Sequence, residues 1–354
     1  MDTLQRYIAL TMVRATVGTL LALVILLVFF NFADELDSVG KGDYQALDAF
    51  FVAFLIAPRY LFEVFPVAAL LGSLIGLGGL ASHSELLAMR TAGVSLRFIV
   101  AAVLKAGILM MLVSLAFGEL VAPPSERLAQ QIRAERQSGQ PVLSTRYGFW
   151  ARDGRAFINI RTIVTGVHLK DIYIYEFDDH GRLTLATHAQ EANYQGDHWM
   201  LRGIAQSQIE NDGVQTRTLD QARWDSLLDP GVLSVAVIRP TMLPVWELSQ
   251  YIDFMRANGQ SAIDYQVAYW LKMANPVATL VMLFLAVPFV LGNQRSTSMG
   301  QRVFLGAVIG TAFFLLTRAM SYVAVVYNLN PAFSAALPAA VVILITMAML
   351  RRVR

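Results

Sequence analysis

The chain has 354 residues, of which 56% are hydrophobic and only 15% are charged, against roughly 25% charged residues in soluble domains. Residues 123–265 hold 31 of the 54 charged residues, so the other 211 positions share only 23. This composition excludes a soluble enzyme and a disordered chain, and a net charge of +2 offers no basic surface for nucleic acid. The absence of cysteine excludes disulfides and thiolate metal sites. We therefore predict an integral membrane protein with one inserted aqueous domain.

Six apolar segments are long enough to cross a bilayer, because a membrane-spanning helix needs about 20 mostly apolar residues. Three segments precede the polar region and three follow it. No small-residue cleavage pattern follows the first segment, so we interpret it as a retained helix rather than a cleaved signal peptide. The predicted spans are Ala15–Phe32, Tyr60–Ala81, Phe98–Val121, Val267–Leu291, Val303–Tyr327 and Ala332–Leu350.

The distribution of arginines predicts the orientation, since basic residues concentrate on the cytoplasmic side of a membrane protein. If the six helices alternate in direction, both chain ends and two arginine-containing loops fall on one side. The opposite side has a loop with five acids around Lys41. We therefore expect both termini in the cytoplasm and residues 123–265 in the periplasm of a bacterial inner membrane. The arginines on the cytoplasmic side are Arg6, Arg14, Arg90, Arg97, Arg295, Arg302, Arg351, Arg352 and Arg354.

The polar region reads as β structure. Gly148–Ile163 is interrupted by an Asp-Gly pair, and Asp171–Phe177 alternates strictly between polar and apolar residues. Further alternating segments are separated by Gly-Asp and Asn-Asp-Gly turns, as in a small sandwich, jelly roll or open barrel. Helices are predicted on either side, at Pro123–Gln137 and Trp246–Asn258. The predicted fold class is thus a bundle of six transmembrane helices with an inserted periplasmic all-β, jellyroll-like domain.

No catalytic or metal site is predicted in this region. Four of the five histidines lie within it, but their spacing fits no common set of metal ligands. The motifs of serine hydrolases and zinc proteases and a paired-carboxylate pattern are also missing from the sequence. We therefore expect the β domain to bind or to scaffold. The histidines are His168, His180, His188 and His198.

Charged residues within membrane helices are functional candidates because they are costly to bury. Arg59 and Glu63 are four residues apart on one helical face, which predicts a local ion pair. Lys105 and Lys272 lie within about two turns of a membrane boundary, so we expect their side chains to reach the interface. Arg318 is the deepest, and its sequence context leaves open an acid on another helix, an acid on another subunit, or a ligand.

Two helices carry glycines at small-xxx-small spacing, which allows close approach of two helix backbones. Gly72 and Gly76 lie in the second predicted span, and Gly306 and Gly310 lie in the fifth. The pattern fits packing within one subunit, and it also fits a seam between two subunits.

The cytoplasmic segment Ser82–Gly93 predicts a short helix at the membrane surface. Ser82 or Ser84 can cap its start, and Gly93 can end it. The alternative is a plain loop between two spans, but the length and the capping residues favour an element that docks a partner. The candidate coupling residues are Ser84, Glu85, Leu86, Leu87, Met89 and Arg90.

Two blocks closely resemble the LptF/LptG family, the permeases of the lipopolysaccharide-export ABC transporter. They are Phe65–Gly93 (FPVAALLGSLIGLGGLASHSELLAMRTAG) and Gly118–Glu126 (GELVAPPSE). The order of three helices, a β domain and three helices matches the family over essentially the whole chain. The segments Leu4–Ile8 and Gly40–Leu47 look more like the G-type than the F-type permeases.

The resemblance implies a non-catalytic transport subunit that pairs with an LptF-like permease and with two LptB ATPases. Such a complex extracts lipopolysaccharide from the outer leaflet of the inner membrane and passes it to LptC and a periplasmic bridge of β-jellyrolls. The chain contains no P-loop motif, so we expect it to bind no cofactor, and ATP and Mg to bind at the partner ATPase. The predicted domains are 1–122 with the coupling helix near 82–93, 123–265, and 266–354.

Four basic residues are predicted to receive the phosphates of lipid A at the outer surface of the membrane. Arg59 lies at the outer end of the second span, and Arg133 and Arg136 are three residues apart on the helix that leaves the third span. Lys41 lies in the acidic loop. The resemblance supports a basic residue at Arg59 and Arg133, whereas Arg136 and Lys41 rest on geometry. The lysines that G-type permeases often carry where helix 1 meets the periplasm are absent here.

Two other functions remain open. The chain could be a membrane scaffold that anchors periplasmic β domains without transport, which requires no ATPase partner. It could also be a membrane enzyme that modifies envelope lipids, which requires a catalytic constellation that the sequence does not contain.

Overall fold

The computed structural model describes residues 3–138, 143–165, 168–178, 180–210, 213–225, 240, 243–257, 259–292 and 299–352. The chain divides into two compact units. The helical unit comprises Met1–Asp37, Phe50–Ala129 and Ile263–Arg354, and the β unit comprises Ser38–Ala49 and Gln130–Ala262. The helical unit is thus assembled from both ends of the chain.

Within the described ranges, six helical stretches are long and apolar enough to cross a membrane, so the predicted number of spans is confirmed. The third stretch runs from α4 through a π-helical turn, Phe117–Val121, into α5. The α-helices of the described residues are α1 (Thr3–Leu36), α2 (Ala46–Ser82), α3 (Glu85–Thr91), α4 (Leu96–Ala116), α5 (Ala122–Ser138), α6 (Val245–Ala257), α7 (Ile263–Gly292), α8 (Met299–Val326) and α9 (Pro331–Arg352).

The chain stays helical past Pro123 and Pro124, although two consecutive prolines usually break a helix. Prolines lack the N–H group that would bond to the carbonyl four residues earlier, so Glu119 and Leu120 lose their α-helical donors. The wider π-helical turn precedes the prolines, and in it the Ala122 N–H donates to the Phe117 carbonyl. The prolines then occupy the first turn of α5, where a missing N–H is tolerated.

The β unit contains a six-stranded antiparallel sheet in which each strand pairs with its neighbours in sequence, in the order β1 to β6. The predicted β domain is confirmed, and its described strands form an up-and-down meander. The helix predicted at Trp246–Asn258 is also present, as α6, and Phe254 of α6 packs against the sheet. The strands are β1 (Leu143–Asp153), β2 (Ala156–Thr165), β3 (His168–Phe177), β4 (Leu183–Tyr194), β5 (Trp199–Glu210) and β6 (Gly213–Trp224).

Alternate residues of β2 to β5 supply the core of the β unit, as the period of two in a strand requires. Ile172 and Ile174 of β3 belong to one buried cluster with Ile158 of β2 and Ile204 of β5. By contrast, β6 is exposed or half-buried along its whole length. The core therefore lies on one face of the sheet, and β6, the edge strand, contributes no fully buried residue to it.

The turn between β3 and β4 is built around Asp178. The backbone N–H groups of Arg182 and His180 donate to its Oδ1, and the Arg182 side chain donates to Oδ2. These hydrogen bonds, with the Arg182 backbone contributing most, lower the pKa of the Asp178 carboxyl below its usual value.

Glycines of the helical unit pack against helices of the same chain. A Cβ atom on Gly72 would lie 2.3 Å from the Cα of Thr16 in α1, and one on Gly306 would lie 2.4 Å from a methyl carbon of Leu74. Gly310 is close to Val67 in the same way. Of the two possibilities that the sequence leaves open, packing within the subunit accounts for these glycines.

Candidate functional site

Four charged side chains from three helices form a connected network. Arg59 of α2 lies 2.9 Å from Oε1 of Glu63 and 2.7 Å from Oε1 of Glu126 on α5. The other oxygen of Glu63 accepts a hydrogen bond from Nη2 of Arg318 on α8, at 3.2 Å. Two positive and two negative groups therefore neutralise each other where single charges would be costly. We call Arg59, Glu63, Glu126 and Arg318 the charge network.

The network tests two sequence predictions. The ion pair between Arg59 and Glu63 is confirmed. The acid on another helix that was one of the options for Arg318 is Glu63 of the same chain. The contact with Glu126 was not predicted, because 67 residues separate it from Arg59 in sequence. The sequence could have indicated this contact only if every acid on the neighbouring segments had been considered as a partner for Arg59.

A second ion pair lies deeper in the protein. Lys272 of α7 is 8% exposed, and its Nζ lies 3.3 Å from Oε1 of Glu119, which is equally buried. Lys272 thus pairs with a buried carboxylate, a partner that the sequence analysis did not predict, and its reach to the membrane interface stays a prediction. Lys105 is exposed, and it donates a hydrogen bond to Gln5.

The four predicted phosphate-binding residues fall into two groups. Arg59 belongs to the helical unit, where Glu63 and Glu126 surround its guanidinium group. Lys41, Arg133 and Arg136 belong to the β unit. There the loop that carries Lys41 is bonded to the end of α5, because the Asp43 N–H donates to the Arg136 carbonyl at 2.8 Å. The Arg136 side chain also lies 3.8 Å from Asp48.

The predicted coupling segment forms a seven-residue helix, α3. Gly93 ends it as predicted: its N–H donates to the Arg90 carbonyl, the Val94 N–H donates to the Met89 carbonyl, and Gly93 has a φ of +90°. Ser84 occupies the N-cap position, but its side chain makes no capping hydrogen bond, so the prediction of a serine cap is wrong. The backbone of Ser84 is left-handed, which turns its hydroxyl away from the orphan N–H groups.

The six candidate coupling residues do not share one face. Leu86 is 1% exposed, and Met89 packs with it against the core of the helical unit, so these two residues anchor α3 to its own chain. Leu87 and Arg90 are exposed on the outer side, together with Ser84. Glu85 is half-buried, and its Oε2 accepts a hydrogen bond from the Tyr7 hydroxyl at 2.8 Å. The coupling role itself stays a prediction.

Three histidines of the β unit contact polar side chains near them. His168 contacts Asn193, and His188 lies 3.4 Å from Asp171 and stacks on Tyr173. His198 contacts Asp197, and this hydrogen bond is the main cause that lowers the pKa of the Asp197 carboxyl. In the part of the chain that the structure describes, no three His, Cys, Asp or Glu residues are grouped as metal ligands would be.

Six apolar helices with neutralised internal charges and an inserted antiparallel sheet define a multi-pass membrane protein that carries an aqueous β unit. Residues 6–352 match the family described as lipopolysaccharide export system permease LptF/LptG. The chain is 36% identical over 355 residues to the lipopolysaccharide export system permease protein LptG of Haemophilus influenzae, covering 100% of this chain and 99% of that protein. It is 35% identical to LptG of Escherichia coli K12, covering 99% and 98%.

The chain therefore belongs to the LptF/LptG family of lipopolysaccharide export permeases. The family is a permease component of the export system, so the chain is a transport subunit and not an enzyme.

Proposed function

We propose that this chain is the G-type permease of a lipopolysaccharide exporter. It pairs with an F-type paralogue and two LptB ATPases, which bind ATP and Mg. The complex draws lipopolysaccharide from the outer leaflet of the bacterial inner membrane and delivers it to LptC and a periplasmic bridge. The observation that carries this proposal is the full-length similarity to G-type permeases, which extends through every span and the β unit. The arginine distribution supports cytoplasmic termini and a periplasmic β unit.

We assign coupling to the ATPase to the side of α3 that faces away from the core of the helical unit. Leu86 and Met89 pack in the core of the helical unit and hold α3 to the membrane helices. A movement of a partner bound to the exposed side of α3 is therefore transmitted to those helices. The groups available to a partner are the exposed Ser84, Leu87 and Arg90, together with the half-buried Glu85. A charge at the centre of such an interface contributes more than one at its rim, where an ion pair is worth under about 1 kcal/mol.

Lipid recognition is assigned to basic residues at the outer level of the membrane. Arg59 and Arg318 share the carboxylate of Glu63, and arginine suits bidentate binding of phosphate. In the chain without lipid, the glutamates of the charge network neutralise these arginines. An incoming lipid A phosphate competes for the guanidinium groups of Arg59 and Arg318. Lys41, Arg133 and Arg136 supply further positive charge in the β unit.

The test is to purify the chain with its co-expressed partners and to measure what accompanies it. The expected result is a complex with an ATPase subunit that releases lipopolysaccharide to an acceptor β-jellyroll only when ATP is hydrolysed. Purification without an ATPase subunit would favour the scaffold. ATP-independent chemical change of the lipid would favour the enzyme.

A further inference from the structure

The helices α2 and α7 each contain a proline close to the hydrogen bond that joins them, Pro66 in α2 and Pro276 in α7. Pro66 has no N–H group, so the carbonyl of Phe62 in α2 loses the hydrogen bond that a regular helix would give it. Pro276 removes the corresponding donor for the carbonyl of Lys272 in α7. Because lipid offers no replacement donor, such a carbonyl must be satisfied by the protein.

Asn275 provides the replacement at Phe62. Its side-chain Nδ2 donates to the Phe62 carbonyl oxygen at 2.6 Å, across 213 residues of sequence. Thr279, one turn further along α7, instead donates its hydroxyl to the Asn275 carbonyl of its own helix. The Asn275 amide thus ties α7 directly to α2, at the carbonyl that Pro66 leaves without its helical donor.

A third segment meets the other two at the same point. The Phe62 ring packs against Gly118 of the π-helical turn, where an added Cβ would lie 2.4 Å from the Phe62 Cδ2 atom. Phe62 is 8% exposed, so the junction is closed to solvent. The contact between Asn275 and Phe62 therefore lies where three segments of the helical unit meet: α2, the π-helical turn and α7.

Each residue of this junction has a charged residue beside it. Glu63 follows Phe62 and holds Arg59 and Arg318. Glu119 follows Gly118, and its partner Lys272 lies one turn before Asn275 on α7. A change at the junction therefore shifts both the charge network and the buried ion pair. No charged group of either set bonds to Asn275 in the interactions described for it, so its influence runs through backbone placement.

We infer that Asn275 is a positioning residue for the lipid-binding site. Its amide satisfies the Phe62 carbonyl that Pro66 leaves without a helical donor, and so it fixes α7 against α2. This contact holds Glu63 in the geometry that presents Arg59 and Arg318. This inference rests on the proposed function, because it takes the charge network as the place where the lipid phosphate binds. Asn275 touches no lipid in this scheme. It acts through Phe62.

The experiment separates two effects of the Asn275 amide: the tie between α2 and α7, and the supply of a hydrogen-bond donor to the Phe62 carbonyl. In Asn275→Leu, the Phe62 carbonyl loses its donor and the helices lose their tie. In the double variant Asn275→Leu with Pro66→Ala, the new N–H at position 66 can bond to Phe62, but the tie between helices is still missing. Thr346→Val, which removes a hydroxyl bonded within its own helix α9, is the matched control for replacing a polar group in the membrane.

For each purified complex, the melting temperature, the basal ATP hydrolysis and the lipopolysaccharide retained per complex are measured. Asn275→Leu is expected to melt several degrees lower and to retain about fivefold less lipopolysaccharide at unchanged ATP hydrolysis. The double variant is expected to recover the melting temperature but not the retention. Thr346→Val should match the unsubstituted complex in all three.

Recovery of both quantities in the double variant would overturn the inference, because a satisfied carbonyl would then be sufficient. Normal retention in Asn275→Leu would also overturn it, provided that Arg59→Glu lowers retention in the same assay. If Arg59→Glu and Asn275→Leu both retain lipid normally, the charge network is not the phosphate site, and the proposed function fails at that point instead.

Discussion

The charged side chains of the charge network and of the pair formed by Lys272 and Glu119 are neutralised by partners within the protein. Arg59 has two carboxylates within 3 Å of its guanidinium nitrogens. A charge-assisted hydrogen bond contributes about 1.5–3 kcal/mol, so a lipid phosphate must offer comparable bonds to replace Glu63 or Glu126. We therefore expect the proposed phosphate site to be selective for ligands that bring strong negative charge.

Reversing the charge of Arg59 should weaken lipid binding. Arg59→Glu places a third carboxylate beside Glu63 and Glu126, which repels phosphate and removes the bidentate donor. We expect about tenfold less lipopolysaccharide on the purified complex, which corresponds to about 1.4 kcal/mol. LptB should still hydrolyse ATP. Arg202→Glu, on an exposed arginine of β5, is the control for charge reversal, and equal retention in both variants would contradict the assignment.

Reversing the charge of Glu85 should uncouple transport from ATP hydrolysis. Glu85→Lys replaces the one acid of α3 with a cation, so α3 then carries only positive charge and repels a basic groove on the ATPase subunit. ATP-dependent release of lipopolysaccharide should fall while lipid retention stays normal. Tyr7→Phe removes only the hydrogen bond that Glu85 accepts within the chain, so it separates the internal contact from the external one. Normal release by Glu85→Lys would leave Leu87 and Arg90 as the docking residues.

At the scale of elements, the sequence predicts what depends on local pattern and misses what depends on distant partners. The strand predicted at Asp171–Phe177 is His168–Phe177 in the structure, and Gly93 ends α3 as its type requires. The first helix begins at Thr3 rather than Ala15, because hydropathy marks the apolar part of a helix and not its ends. The contact of Asn275 with Phe62 joins residues far apart in sequence, so no local pattern announces it.

The packing of α1 on α2 provides a direct test at this scale. In Gly72→Ala, the added methyl group meets the backbone of Thr16 at a distance that no real Cβ contact shows, so the helices must separate. We expect a cost of about 1–3 kcal/mol, seen as a lower melting temperature of the purified chain. Gly79→Ala is the matched control in α2, since nothing lies within 4 Å of its added Cβ. Equal melting temperatures would show that α1 adjusts without strain.

At the scale of the whole molecule, the main part of the β unit, Gln130–Ala262, is inserted between two halves of one helical unit. Residues of α1 to α5 and of α7 to α9 share that unit, and α4 packs on α7 although 133 β-unit residues, Gln130–Ala262, separate them in sequence. The sequence alone shows two groups of three spans and cannot say whether they pack together. The orientation of the spans, and with it the side of the membrane on which the β unit lies, stays a prediction from the arginine distribution.

That orientation can be tested because the sequence contains no cysteine, so each introduced thiol is the only one in the chain. Gln221 of β6 and Arg351 near the end of α9 are both exposed. In cells with a permeabilised outer membrane, a maleimide that cannot cross the inner membrane should label Gln221→Cys but not Arg351→Cys. After lysis both variants should react, which serves as the control for accessibility. The opposite labelling pattern would place the β unit in the cytoplasm, where it could not pass lipopolysaccharide to a periplasmic bridge.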